Sequence, residues 1–162
     1  MLTATWCVAL LLAAAQPGEA PTGGRVIVGV VPGDAPFADP ALDGILDAGF
    51  GGTTTVAEVH ALSLEHDLVD RMEWARSMTG DDVRAVYWVE PVDAQRHRLY
   101  LFDPRTEQIW VRSLPQGSDP ADVLDTLAAM VRSLTEGMPT GDPRGMQRIE
   151  AAPQQPTPTP QP

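Results

Sequence analysis

Val83-Arg84-Ala85-Val86-Tyr87-Trp88-Val89-Glu90-Pro91-Val92 is followed by a polar break, by Arg98-Leu99-Tyr100-Leu101-Phe102, and by Gln108-Ile109-Trp110-Val111-Arg112-Ser113-Leu114. Three runs rich in β-branched and aromatic residues, joined by short polar breaks, predict an antiparallel three-stranded meander over Val83–Leu114. Asp103-Pro104-Arg105-Thr106 has Asp at i and Pro at i+1, the chemistry of a type I turn between the second and third runs. In the first run Val83, Ala85, Tyr87 and Val89 alternate with Val86 and Trp88, so both faces are apolar. A strand with two apolar faces belongs inside a sheet covered on both sides.

The surrounding elements follow from the same signals. Upstream, Ser63 is a helix-start residue ahead of a helix over Leu64–Met78, with Leu64, Leu68, Met72 and Ala75, and Val69 beside them, as its apolar stripe. Asp67, Asp70, Arg71, Glu73 and Arg76 fall on its wet face. Thr53–Val59 reads as a strand, and Asp39-Pro40 as the cap and first turn of a helix carrying Leu42, Ile45 and Leu46 and ending near Gly49. Arg25–Val31, a continuous apolar run ended by Pro32-Gly33-Asp34, reads as a strand buried on both faces. Downstream, Asp119-Pro120 opens a helix over Ala121–Glu136 with Val123, Leu124, Leu127, Val131 and Leu134 inward, closed by Gly137. The order β-α-β-α-β-β-β-α predicts a single α/β domain over Arg25–Gly137, a mixed sheet with helices packed on it. This arrangement resembles the α/β N-terminal domain of periplasmic TolB-type envelope proteins, and small exported α/β domains with no assigned activity. The likeness rests on element order and on the helix–Gly–strand–hairpin–helix run from Leu64, and it implies a fold rather than a chemistry.

The flanks differ in composition. Leu2–Ala15 is an apolar run too short to span a bilayer comfortably, and Ala13-Ala14-Ala15 supplies a small-x-small cleavage pattern. Residues 1–15 therefore read as a signal peptide, without the usual basic residue at its start, and 16–24 as a Pro/Gly spacer. The expectation is export to the periplasm or beyond, with no stable membrane insertion once the signal is removed. If the run instead stays attached and packs as a helix, the chain reads as a cytoplasmic regulatory domain. Residues 138–162, ending Pro-Gln-Gln-Pro-Thr-Pro-Thr-Pro-Gln-Pro, read as a disordered Pro-rich tail.

Charge and missing residue types narrow the chemistry. A net charge of −11, from 22 acidic and 11 basic residues, disfavours nucleic acid and anionic lipid. Every basic residue is arginine, which removes Schiff-base chemistry and the phosphate-loop lysine. The one cysteine, Cys7, lies in the signal run, so the domain carries no thiol nucleophile, disulfide or Cys-based zinc site.

Candidate sites are few. Gly33, Asp34 and Asp39 lie in the loop leaving a central strand, where open α/β sheets hold ligands, but in no phosphate-binding pattern. Glu58, His60, His66 and Asp67 match no standard metal spacing. Ser63, Ser77, Ser113, Ser118 and Ser133 lie in no nucleophile motif. Trp74, off the stripe of its helix, and Trp110, facing opposite to Ile109 and Val111, are candidate partner-binding residues. No catalytic, metal or cofactor motif emerges. The reading is a non-enzymatic, envelope-associated binding or assembly module with an envelope protein or a small ligand as partner. A hydrolase would instead require Asp34, Asp39 and Glu58, or a serine, to assemble at the strand ends.

Overall fold

A computed structural model describes residues 24–33, 36–37, 40–63, 67–93, 96–117, 119–140 and 143–150. The first strand, β1 (Arg25–Val30), is buried from Val26 onward because it lies between two parallel neighbours, β2 (Val56–Ala61) and β3 (Val83–Pro91). From β3 the chain runs antiparallel through β4 (His97–Asp103), β5 (Gln108–Ser113) and β6 (Gln147–Ile149), giving a mixed six-stranded sheet of order β2-β1-β3-β4-β5-β6. The fold is α/β, and the meander is present as the sequence predicts. Three helices, α1 (Ala41–Gly49), α2 (Leu68–Ser77) and α3 (Pro120–Gly137), cover the sheet.

The pleat of each strand sorts its side chains between two cores. Val26, Val28, Val30, Tyr87, Val89, Leu99 and Leu101 face α1 and α3, meeting Leu42, Leu46, Leu124, Leu127 and Val131. On the opposite face Ile27, Val86, Trp88, Tyr100, Phe102 and Ile109 lie with Ala75 of α2. The buried Tyr87 hydroxyl donates to Thr135 Oγ1 at 3.0 Å, while Thr135 passes its own hydrogen to Val131 O at 2.8 Å. α3 starts as predicted, with the Asp119 side chain accepting from Ala121 N at 2.9 Å and Pro120 in its first turn. No helix among the described residues is long and apolar enough to cross a membrane.

Three sequence expectations are corrected. β2 begins at Val56 rather than Thr53, because Thr53 and Phe50 still close the preceding turn, Thr53 Oγ1 donating to Phe50 O at 2.7 Å. α2 begins at Leu68, not Leu64: Asp67 Oδ1 accepts from Val69 N and Asp70 N at 2.8 and 3.0 Å, and Asp70 accepts in return from Asp67 N. That reciprocal capping box outcompetes Ser63 as the helix start. The helix also presents a different face, burying Arg71 and Ala75 while Leu68 and Val69 stand 37% and 59% exposed.

The third correction concerns the tail. The fold does not end at Gly137: Met138–Thr140 forms a 3₁₀ turn, Met138 and Met146 enter the core, and β6 pairs Ile149 with Ile109. β6 covers the outer edge of β5, whose centre is the apolar run Ile109-Trp110-Val111. At three residues it is too short to carry a strand signature in sequence. Residues 1–23, which hold the expected signal peptide and most of the expected spacer, and residues 151–162 lie outside the described residues.

Candidate functional site

The strand order places a topological switch point at the carboxyl ends of β1 and β3, the usual ligand crevice of such sheets. Phe37, 1% exposed, folds back from the loop after β1 and meets His97 edge-on with ring centroids 4.8 Å apart. Gly33 is exposed and turns the chain with φ +84°. Asp34 and Asp39 lie outside the described residues. Glu58, on β2, is held by Arg25 Nη1 at 3.3 Å and lies 3.6 Å from His60 Nε2. Arg25 also grips Asp82 through two hydrogen bonds of 2.7 and 3.1 Å, and these hold the Asp82 carboxyl below its ordinary value.

Trp74 is a packing residue. Its ring lies over Gly29, where an added Cβ would stand 2.7 Å from the indole and 2.5 Å from Leu62 Cδ1. Beside it, Trp88 and Tyr100 stack with centroids 5.0 Å apart and planes 1° from parallel. Trp88 Nε1 donates to Glu90 Oε1 at 2.9 Å, and Arg71 Nε stands 3.4 Å from the same oxygen. Arg71 is 2% exposed, and its Nε and Nη1 make no hydrogen bond. Burial pushes the Tyr100 phenol up, and the charge of Glu90 adds to this.

Trp110 has a different setting. It is half-buried, faces α3 opposite to Ile109 and Val111 as its position in β5 predicts, and lines a groove with Gln108, Met138, Pro139 and Pro143. Through Pro143 this continues into a larger groove of about 530 Å³ between α3 and the turn before β6. That volume lies within the roughly 300–1,000 Å³ typical of ligand pockets. Ala129, Met130 and Leu134 supply apolar wall, Thr126 and Ser133 hydroxyls, and Arg112 and Arg144 positive charge.

The local chain is built to present those arginines. Arg112 is two residues beyond Trp110 on β5 and so shares its face. Gly145 turns with φ +76°, and a Cβ there would stand 3.2 Å from Arg112 Nη1, so only glycine suits both the turn and the guanidinium beside it. Arg148 pairs in register with Trp110. Arg112, Arg144 and Arg148 have no acidic partner among the described residues. By contrast, Arg105 is neutralised by Asp103 at 3.2 Å and tied to Met138 O at 3.1 Å. Sequence reasoning singles out Trp110 but misses these arginines. The i, i+2 spacing of Trp110 and Arg112 carried the signal for one of them, while Arg144 and Arg148 fall in what reads as tail.

Among the described residues no group of three or more His, Cys, Asp and Glu side chains is placed to hold a metal. Ser77 is engaged with Trp74 O at 2.7 Å, and Ser133 lines the large groove. His66 and Ser118 lie outside the described residues. No family model, no curated protein and no solved structure matches this chain.

Proposed function

We propose that this protein is an exported binding module acting without chemistry, and that the groove between α3 and β5 receives a protein segment carrying carboxylates between apolar residues. One observation supports it most directly: in a chain of net charge −11, two arginines without ion-pair partners, Arg112 and Arg144, line a groove with apolar wall that adjoins Trp110. An unpaired guanidinium presents a planar fork of donors suited to a carboxylate. Apolar wall beside it gives alternate side chains somewhere to go. The net negative field disfavours long polyanions such as nucleic acid and leaves local acidic segments as the fitting partners. The N-terminal apolar run supports export, and an envelope setting agrees with the likeness to TolB-type N-terminal domains.

The test is fluorescence anisotropy with a fluorescein-labelled peptide of alternating Leu and Glu, against a Leu/Arg control of equal length. The acidic peptide alone should bind, with affinity falling as salt rises. Arg112→Ala and Arg144→Ala should each weaken it by about tenfold, as loss of a charge-assisted contact does. Equal binding of both peptides, or binding indifferent to both substitutions, would overturn the reading.

A further inference from the structure

The sheet has two ends, and they are not alike. β6 at one end is three residues long, whereas β2 at the other is six residues of Val-Ala-Glu-Val-His-Ala with no proline, no lysine and regular pairing to β1. Proline, bulges, shortness and charged side chains are the usual guards against edge pairing. β2 has only Glu58 among them, and its charge is engaged by Arg25. Val56 N donates to Gly24 O at 3.0 Å and Leu62 N to Val30 O at 2.8 Å, so the even-numbered amides of this strand point inward to β1. By the alternation of the strand, the amides of Ala57, Val59 and Ala61 point outward; Ala61 is exposed and Val59 half-buried, while Ala57 is 5% exposed in the single chain.

We propose that this edge joins a second copy of the chain, antiparallel, about a two-fold axis at Val59. The register follows from which amides point outward. Hydrogen-bonded pairs must form between outward-facing residues, which sets Val59 opposite its own counterpart and Ala57 opposite Ala61. Glu58 of one copy then lies directly across from His60 of the other, twice, in the close non-hydrogen-bonded positions. Shifting the register by two residues in either direction loses this match, setting either two Glu58 or two His60 side chains opposite each other. Val56, 54% exposed in the single chain, comes to lie across from Leu62 of the second copy.

The charged groups facing this pair are shared within each copy. Glu58 and His60 are each about one-third exposed on the same face of the sheet, with Arg25 on β1 beside Glu58 and Asp82 beyond Arg25. Each joined edge thus brings four carboxylates, two guanidiniums and two imidazoles together, each guanidinium already engaged by the two acids of its own copy, and the Glu58–His60 contacts supply the attraction across the seam. The rest of the surface repels, since two molecules of net charge −11 approach each other. Association should therefore strengthen as salt screens that repulsion, the opposite of the dependence expected for the α3–β5 groove.

The experiment is sedimentation of the full chain over a range of concentration and salt, with folding followed by circular dichroism. The wild type should shift from one to two chain masses as concentration and salt rise. Glu58→Arg sets arginine across from histidine, and His60→Glu sets carboxylate across from carboxylate, so each variant alone should lose the dimer. An equimolar mixture of the two variants should regain it. In the mixed pair the introduced arginine faces the introduced carboxylate, and the native His60 of one chain faces the native Glu58 of the other. Ala61→Pro, which removes an outward amide and no bond to β1, should also be monomeric while folded. A wild type monomeric throughout, folded variants that dimerise alone as the wild type does, or a folded mixture that stays monomeric would each overturn the proposal.

Discussion

Arg71 is a charged side chain placed where a hydrophobic one would ordinarily stand. Glu90 answers its charge at 3.4 Å, but Nη1 makes no hydrogen bond, so the guanidinium keeps much of its desolvation cost. Glu90 is better provided for, being 26% exposed and accepting from Trp88. The double substitution Arg71→Met with Glu90→Gln keeps the volume under α2 and the acceptor for Trp88 while removing both charges. It should raise stability by about 1 kcal/mol or more in urea unfolding. A fall of that size would show instead that the ion pair stabilises the fold on balance. Arg71 also marks the limit of reading by residue type. One helical turn before Ala75, it shares the inward face of α2, but charge assigns an arginine to water in any hydropathy pattern, and only the partner on β3 reverses that.

Among the elements, α2 and β1 are fitted to each other through one missing side chain. Gly29 interrupts an otherwise branched strand, and the vacancy admits Trp74 and Leu62. Gly29→Ala should destabilise by about 1–3 kcal/mol, the usual cost of an extra carbon in a filled core, measurable as a shift in the denaturation midpoint. Trading Trp74 for a smaller residue in the same chain should recover part of the loss. Trp74 is thus a half-buried residue packed against the core, and the seat it fills explains why α2 is rolled so that Leu68 and Val69 face out. Strongly periodic elements were legible: β1, the meander and α3 lie close to where hydrophobic repeat and Asp-Pro caps place them. Short or polar elements were not. β6 has three residues and no local signature, and its pairing depends on an edge of β5 that exists only after the sheet has formed. The groove inherits the same problem, since one of its two arginines, Arg144, belongs to that late segment.

At the scale of the molecule, an excess of acid is held in place by a few arginines. The ordinary carboxyl value for Asp82 is 3.8, and hydrogen bonds from Arg25 lower it in the folded chain. A lowered folded-state value means that the unfolded chain takes up this proton first as acid is added. The stabilisation is therefore complete above about pH 4 and is lost as pH falls through the lowered value. Asp82→Asn should flatten the acid limb of stability against pH, read from thermal melts of variant and wild type together, and leave the difference between them constant near neutrality. Parallel curves down to the lowest pH would show that the Arg25 contact contributes nothing to acid stability.

The unequal lengths of the two outermost strands have a geometric consequence for assembly size. Growth of a stacked sheet into a filament requires two adhesive sides per molecule, so that each new arrival offers another. Here one side is long and the other is closed off by a three-residue strand. Lateral joining through β2 consumes the adhesive side of both molecules at once, and the chain of additions terminates at two.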